Sequence, residues 1–351
     1  MPDSLIHPFA EPPAIGESAA VATGVRWVRM PLPFALNHIN LWILDDGPGR
    51  TLVDCGIKSD ETRAAWERIF EGPDRRPIER LIVTHHHPDH IGLAGWLAER
   101  WRCPLLISRD EWMMGRLNSL DDDPVREEGR RRFFTAHGAN EALVSALVEL
   151  FRDYGTLIEP IPSSYQRLIE GDRLSIDRRE WRVIVGTGHA PEHACLYCAE
   201  TGTLIAGDQV LPRISTNISV WDDEPEADPL GEFLGSLDKL ATLPAETFVL
   251  PSHGLPFHGL HKRIAALKAH HADRLTEART ACMKPKTAVE MMPILFPRTL
   301  DLHQQGFALG ETLAHLNHLV ALGDLERTLG DDGIYSFQTT DAGRTGSAPN
   351  R

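Results

Sequence analysis

Seven consecutive residues, Thr84-His85-His86-His87-Pro88-Asp89-His90, hold four imidazoles and a carboxylate. Neutral imidazole and carboxylate are the donors that bind a borderline divalent cation such as zinc. The pattern H-x-H-x-D-H crowds His85, His87, Asp89 and His90 onto one turn. His86 lies between two of them and reads as a packing or supporting residue. A lone histidine beside a strand is more often a hydrogen-bonded core residue than a ligand. Four donors within six residues serve neither a core nor a solvated surface, so the chemistry implied is metal binding and metal-assisted hydrolysis.

Positioning these donors needs a strand and a helix. Leu81-Ile82-Val83 reads as a buried strand, and Ile91 to Ala98 as the start of a helix. The arrangement recurs along the chain. His189 follows the run Val183-Ile184-Val185, Asp208 follows Leu204-Ile205-Ala206, and His253 follows Phe248-Val249-Leu250 through Pro251-Ser252. Four strands thus each deliver a metal-type residue just beyond their ends, where one edge of a layered sheet can collect them.

The remaining elements suit that role. Strands are expected at Gly24–Met30, Ile39–Leu44 and Thr51–Asp54, then a helix capped by Ser59 and running to Phe70. A strand follows at Pro104–Ile107, and Ser108-Arg-Asp-Glu111 has the spacing of a capping box. Residues 121–155 alternate charged and apolar positions at helical spacing and read as a helical insertion, a candidate lid, in which His137 is a candidate substrate contact. Strands return at Arg173–Ile176, Trp181–Val185, Ala194–Cys198 and Thr203–Ala206. Beyond residue 280, helices at Lys286–Leu295 and Leu309–Leu322 precede a strand pair over Leu325–Phe337, which suggests a winged-helix-like module. The expected organisation is an N-terminal arm over 1–20, a catalytic domain over 21–279, the module over 280–340 and a disordered tail over 341–351.

Composition bounds the function. The chain has 351 residues, 42% hydrophobic and 25% charged, with 36 basic against 50 acidic side chains and a formal net charge of −14. That balance argues against an electrostatic hold on nucleic acid or an anionic membrane. No run approaches a membrane span, and no signal pattern opens the sequence. The five cysteines are odd in number and scattered, which fits a reducing, cytoplasmic compartment. Cys195 and Cys198, three apart on an expected strand, fall on opposite faces and read as packing.

These residues resemble the metallo-β-lactamase superfamily. The likeness covers about Gly24 to His271 and rests on His85, His87, Asp89, His90, His189, Asp208 and His253 in that order. It implies an α/β fold, an αββα sandwich, with a two-metal site between the sheets. By the resemblance, His85, His87 and His189 hold one metal, Asp89, His90 and His253 the other, and Asp208 bridges them. Asp54 matches the acidic residue that supports the site from behind, and His193 is a supporting residue rather than a ligand. Zinc is the expected ion, with iron and manganese open to the same donors. Aspartate at 208, where the antibiotic-destroying enzymes usually have cysteine, points away from a true β-lactamase. The expected activity is hydrolysis of an activated acyl substrate, first a thioester, by a hydroxide bridging the metals, with Asp89 and Asp208 as the catalytic carboxylates. This expectation follows the glyoxalase-II-like branch that carries a winged helix. A lactonase and a metal-dependent ribonuclease using the C-terminal module are the alternatives. Residues 280–340 carry more acids than bases, which disfavours the ribonuclease. The apolar helix Leu309–Leu322 also suits a dimerisation or domain-packing element, so a homodimer is a further expectation.

Overall fold

A computed structural model of the protein describes residues 5–345 apart from 35, 73–74 and 121–122, without the side chains of 151–153 and 345. The chain divides into two compact units. One comprises Met1–Asp121, Tyr154–Thr216 and Ser236–Ile264, and the other Asp122–Asp153, Asn217–Gly235 and Ala265–Arg351.

The first unit is built on two sheets. β1 (Ser18–Ala22), β2 (Val25–Pro31), β3 (His38–Asp46) and β4 (Gly49–Val53) form an antiparallel meander. The sheet continues in parallel through β5 (Ile78–Ile82), β6 (Leu105–Ile107) and β7 (Gln166–Arg167). The second sheet runs β8 (Arg173–Ile176), β9 (Arg179–Gly186), β10 (His193–Cys198), β11 (Thr203–Gly207), β12 (Phe248–Pro251) and β13 (Phe257–His258) in spatial sequence. Side chains alternate along a strand, so each strand of a doubly covered sheet feeds two cores. On β3, Trp42 and Leu44 join Trp27, Val53 and Ile82 in a cluster with Val183, Leu196, Ile205 and Leu250 of the other sheet. Leu41 and Ile43 point the other way, into a cluster with Trp66 and Phe70 of α1 (Asp60–Glu71). Short helices α2 (Pro88–Ile91), α3 (Ala94–Trp101) and α4 (Arg109–Asn118) follow β5 and β6. Against β9 lies the end of a helix, where Ser236 Oγ accepts from Thr187 N and Lys239 Nζ donates to Val185 O at 2.6 Å. The layers are therefore α, β, β, α, and the expected sandwich is present.

The second unit is helical. It holds α5 (Pro124–Ala136), α6 (Glu141–Leu150), the start of α7 (Pro229–Leu240), most of α8 (Leu260–Ala281), α9 (Ala288–Leu295), α10 (Leu302–Ala321), the hairpin β14 (Leu325–Leu329) and β15 (Tyr335–Thr339), and α11 (Asp341–Thr345). Helix α10 is its centre. Leu309, Leu313, Leu316 and Leu319 are all buried, while Leu322 at the end of that face is exposed. No described helix is long and apolar enough to cross a membrane.

Three expectations about organisation change. The insertion clusters with the C-terminal unit rather than with the sandwich. His137 within it is 2% exposed, and its Nδ1 lies 2.8 Å from Phe133 O, which makes it a core residue. The N-terminal arm is tied down from Ile6, which bridges to His258, while β1 extends the first sheet. The expected disordered tail begins with helix α11, closed onto Thr340 by Gly343 N and Arg344 N. Residues 1–4 of the arm and 346–351 of the tail lie outside the described residues.

Candidate metal centre

Four strand ends of the first unit meet at the site. Val83 and Thr84 leave β5, and Pro88 opens α2 at a position where its fixed φ suits a helix start. His85 and His87 precede that turn, while Asp89 and His90 lie in it. His189 follows β9, Asp208 follows β11, and His253 follows β12. Gly207 lets the chain turn at Asp208. Its φ is +53°, and a Cβ there would lie 2.3 Å from His193 Nε2.

The donors gather as the sequence leads one to expect. His85 Nε2 lies 3.0 Å from His87 Nδ1 and 3.2 Å from His189 Nε2. Asp89 Oδ2 lies 3.7 Å from His90 Nε2 and 3.4 Å from His253 Nε2. Asp208 faces both groups. Its Oδ2 is 3.6 Å from His189 Nε2, and its Oδ1 is 3.6 Å from His90 Nε2 and 3.5 Å from His253 Nε2. Three triads, His85/His87/His189, His85/His90/Asp208 and Asp89/His90/His253, each bring their donor atoms within 4.8 Å of one another.

This arrangement fits a cation better than a hydrogen-bond network. A neutral imidazole has one donor and one acceptor nitrogen, so three ring nitrogens at 3.0–3.2 Å cannot all be satisfied by protons. The buried atoms His90 Nε2 and Asp208 Oδ1 have no hydrogen-bond partner. Burial, then the surrounding imidazoles, hold His85 and His87 well below the ordinary histidine range, so both rings keep a free lone pair. Burial alone would lower His253 as well, but the Asp208 and Asp89 carboxylates raise it to about 10. For Asp208, burial is overridden by His253 and His90, which hold it ionised. Neutral His85 and His87 and ionised Asp208 are already in the forms that coordinate metal, and a bound cation would displace the proton that the carboxylates hold on His253.

The far nitrogens of His90 and His253 are anchored. Asp54, at φ 64°, accepts from Thr84 N at 2.7 Å, from Thr84 Oγ1 at 2.9 Å and from His90 Nδ1 at 2.8 Å. A non-glycine residue in that left-handed region is held there by its surroundings, and here its carboxylate braces Thr84 and the candidate ligand His90. His253 Nδ1 donates to His38 O at 2.8 Å. His193 is a supporting residue, accepting from Asp208 N at 3.1 Å. Such partners fix ring orientation and tautomer.

Other supports escape sequence reasoning. Asn40 donates through Nδ2 to Pro251 O at 2.8 Å and to Gly254 O at 2.7 Å, while Trp27 Nε1 donates to its Oδ1. No local spacing signals a contact 211 residues away. Glu111 corrects an expectation. Ser108 makes no side-chain capping bond, and the capping box is not formed. Ser108 Oγ instead donates to Glu192 O at 2.8 Å, and Glu111 turns to His86 and Glu192 N. Arg263 donates to Leu211 O and Ile214 O and so braces the segment after Asp208.

Comparison with known proteins agrees with this geometry. Residues 36–253 match the family profile described as "Metallo-beta-lactamase superfamily", and residues 275–340 match "Metallo-beta-lactamase-like, C-terminal domain". A beta-lactamase domain protein from Burkholderia ambifaria is 48% identical, with a TM-score of 0.89 over 96% of this chain and 98% of its own. The probable metallo-hydrolase YqjP of Bacillus subtilis is 26% identical over 84% of this chain and 91% of its own length. Atrochrysone carboxyl ACP thioesterase of Aspergillus fumigatus is 23% identical over 67% of this chain and 56% of its own.

Proposed function

This chain belongs to the metallo-β-lactamase superfamily, and we propose that it is a binuclear metal-dependent hydrolase acting on an activated acyl substrate, a thioester in the first place. The observation that carries this reading is Asp208, which turns one carboxylate oxygen toward each of two donor groups. Seven donors in two groups suit two divalent ions, and zinc suits the mixture of imidazole and carboxylate.

Bound divalent ions supply Lewis acidity, activating water near neutral pH and stabilising negative charge on a carbonyl oxygen. The protein's own residues do the rest. Asp208 fixes the spacing between the two donor groups, and the bond from Thr216 Oγ1 to Asp208 O fixes its backbone. Asp89, whose side chain keeps 19% of its surface exposed, is the carboxylate able to exchange a proton with the attacking water and the leaving thiolate. His90, held by Asp54 at Nδ1, presents Nε2 to the donor group beside Asp89 and His253.

The Aspergillus thioesterase among the relatives supports a thioester over other acyl esters. Lactone opening uses the same donor set and is the reading to separate from it. The test is hydrolysis of acyl-coenzyme A substrates of graded chain length by zinc-loaded protein, with released thiol as the readout and lactones as the parallel panel. Thiol release that stops on chelation and returns with zinc is the expected result. Lactone cleavage without thioester cleavage would reassign the substrate, and inactivity on both would overturn the acyl reading.

A further inference from the structure

One carboxylate outside the donor set touches two of the loops that carry it. Glu111, on α4, is fully buried. Its Oε2 accepts from His86 N at 2.9 Å and lies 2.5 Å from His86 Nδ1. Its Oε1 accepts from Glu192 N at 2.7 Å. His86 stands between His85 and His87, and Glu192 is three residues beyond His189. The first turn of α4 adds two more bonds to the same segment, from Ser108 Oγ to Glu192 O and from Asp110 N to Glu192 Oε2. From outside, Tyr154 Oη donates to His86 O at 2.5 Å. All these bonds end beside His85, His87 and His189, at His86 and Glu192, before the chain enters α2 with Asp89 and His90. The opposite donor group has supports of its own, Asn40 with His38 around His253 and Asp54 behind His90, although Asp54 also accepts from Thr84 next to His85.

We propose that Glu111 is a positioning residue for the three-histidine half of the centre, setting that half's metal affinity through His86 and Glu192 and so the order in which two ions load. The inference rests on the two-ion reading given above. Its physical basis is donor count. Three N–H groups converge on one carboxylate, which accepts at both oxygens. A glutamine has a single acceptor oxygen, so at least one backbone N–H, of His86 or of Glu192, would meet an amide N–H. One of the two loops then shifts, and the three ring nitrogens lose their spacing.

The test is zinc titration of the full chain, wild type against Glu111→Gln, with anomalous diffraction giving the occupancy of each position at limiting zinc. The expected result is two ions in the wild type. In the variant, the ion beside His85, His87 and His189 binds about tenfold or more weakly, and the other binds as before. Tyr154→Phe bears on the same loop from the half-buried side and should shift the same ion in the same direction, which keeps the test open if Glu111→Gln fails to fold. Equal weakening of both ions, or no change in either variant, overturns the assignment while leaving the two-ion reading intact. A wild type that binds fewer than two ions overturns that reading and this assignment together.

Discussion

In the sandwich unit, ring nitrogens of His85, His87 and His189 converge at 3.0–3.2 Å, and their surroundings supply carboxylates. In the helical unit, His271 and His315 are equally buried, yet they form a directed chain. His315 Nδ1 donates to Glu311 O at 2.7 Å, and His271 Nδ1 donates to His315 Nε2 at 3.2 Å. Burial pushes His271 to about 3 and His315 to about 4. Neutral, tilted against each other and hydrogen-bonded, they are core residues. Among the described residues, no triad of possible metal donors gathers around them. Buried histidine alone is therefore no sign of a metal centre. The sign is several ring nitrogens and carboxylate oxygens aimed at one point.

The contrast can be broken by experiment. Asp208→Ala should have the largest effect, because both donor groups lose their shared carboxylate. Turnover of any substrate found should fall by more than about a thousandfold, beyond the roughly 10²–10³ of losing one electrostatic contact, and zinc content should drop with it. Normal turnover in a metal-free variant would refute the reading of the centre. Asp54→Asn comes next. It removes the carboxylate behind His90 and should weaken zinc binding by about 10- to 100-fold, read by competition with a chromophoric chelator.

The helical unit predicts a different response. Burial, opposed by Asn217 and Arg274, raises the Glu311 carboxyl from 4.5 to about 7. Between those values the folded chain keeps a proton that the unfolded chain has released, so stability falls as pH rises through this window. The loss amounts to about 3 kcal/mol at most. Glu311→Gln should flatten the decline of the melting midpoint between pH 5 and 7 without changing zinc stoichiometry. An unchanged slope would show that Glu311 is not the group responsible. The smallest effect is expected from His271→Phe, which removes one weak hydrogen bond and an unpartnered Nε2. Stability should change by about 1 kcal/mol or less, with zinc content unaltered. A loss of zinc there would erase the distinction between the units.

Much of the centre is legible in the chain itself. The donors of His85–His90 are contiguous, and the other three each follow a short apolar run rich in β-branched residues, a local pattern that needs no knowledge of partners. Sheet strands, the helix Asp60–Glu71 and the C-terminal part of Leu302–Ala321 follow from periodicity for the same reason, whereas the first turns of α10, before Leu309, do not. Tertiary structure alone decided which residues hold the donors in place. Glu111 has the spacing of a helix cap and serves a loop eighty-one residues away, and Asn40 reaches Pro251 across 211 residues. It also decided that the insertion packs with the C-terminal helices and that Ile6 bridges to His258. Local spacing states what a segment can form by itself. A buried polar group takes whichever partner the folded chain brings within hydrogen-bond reach, and that partner leaves no mark in the neighbouring sequence.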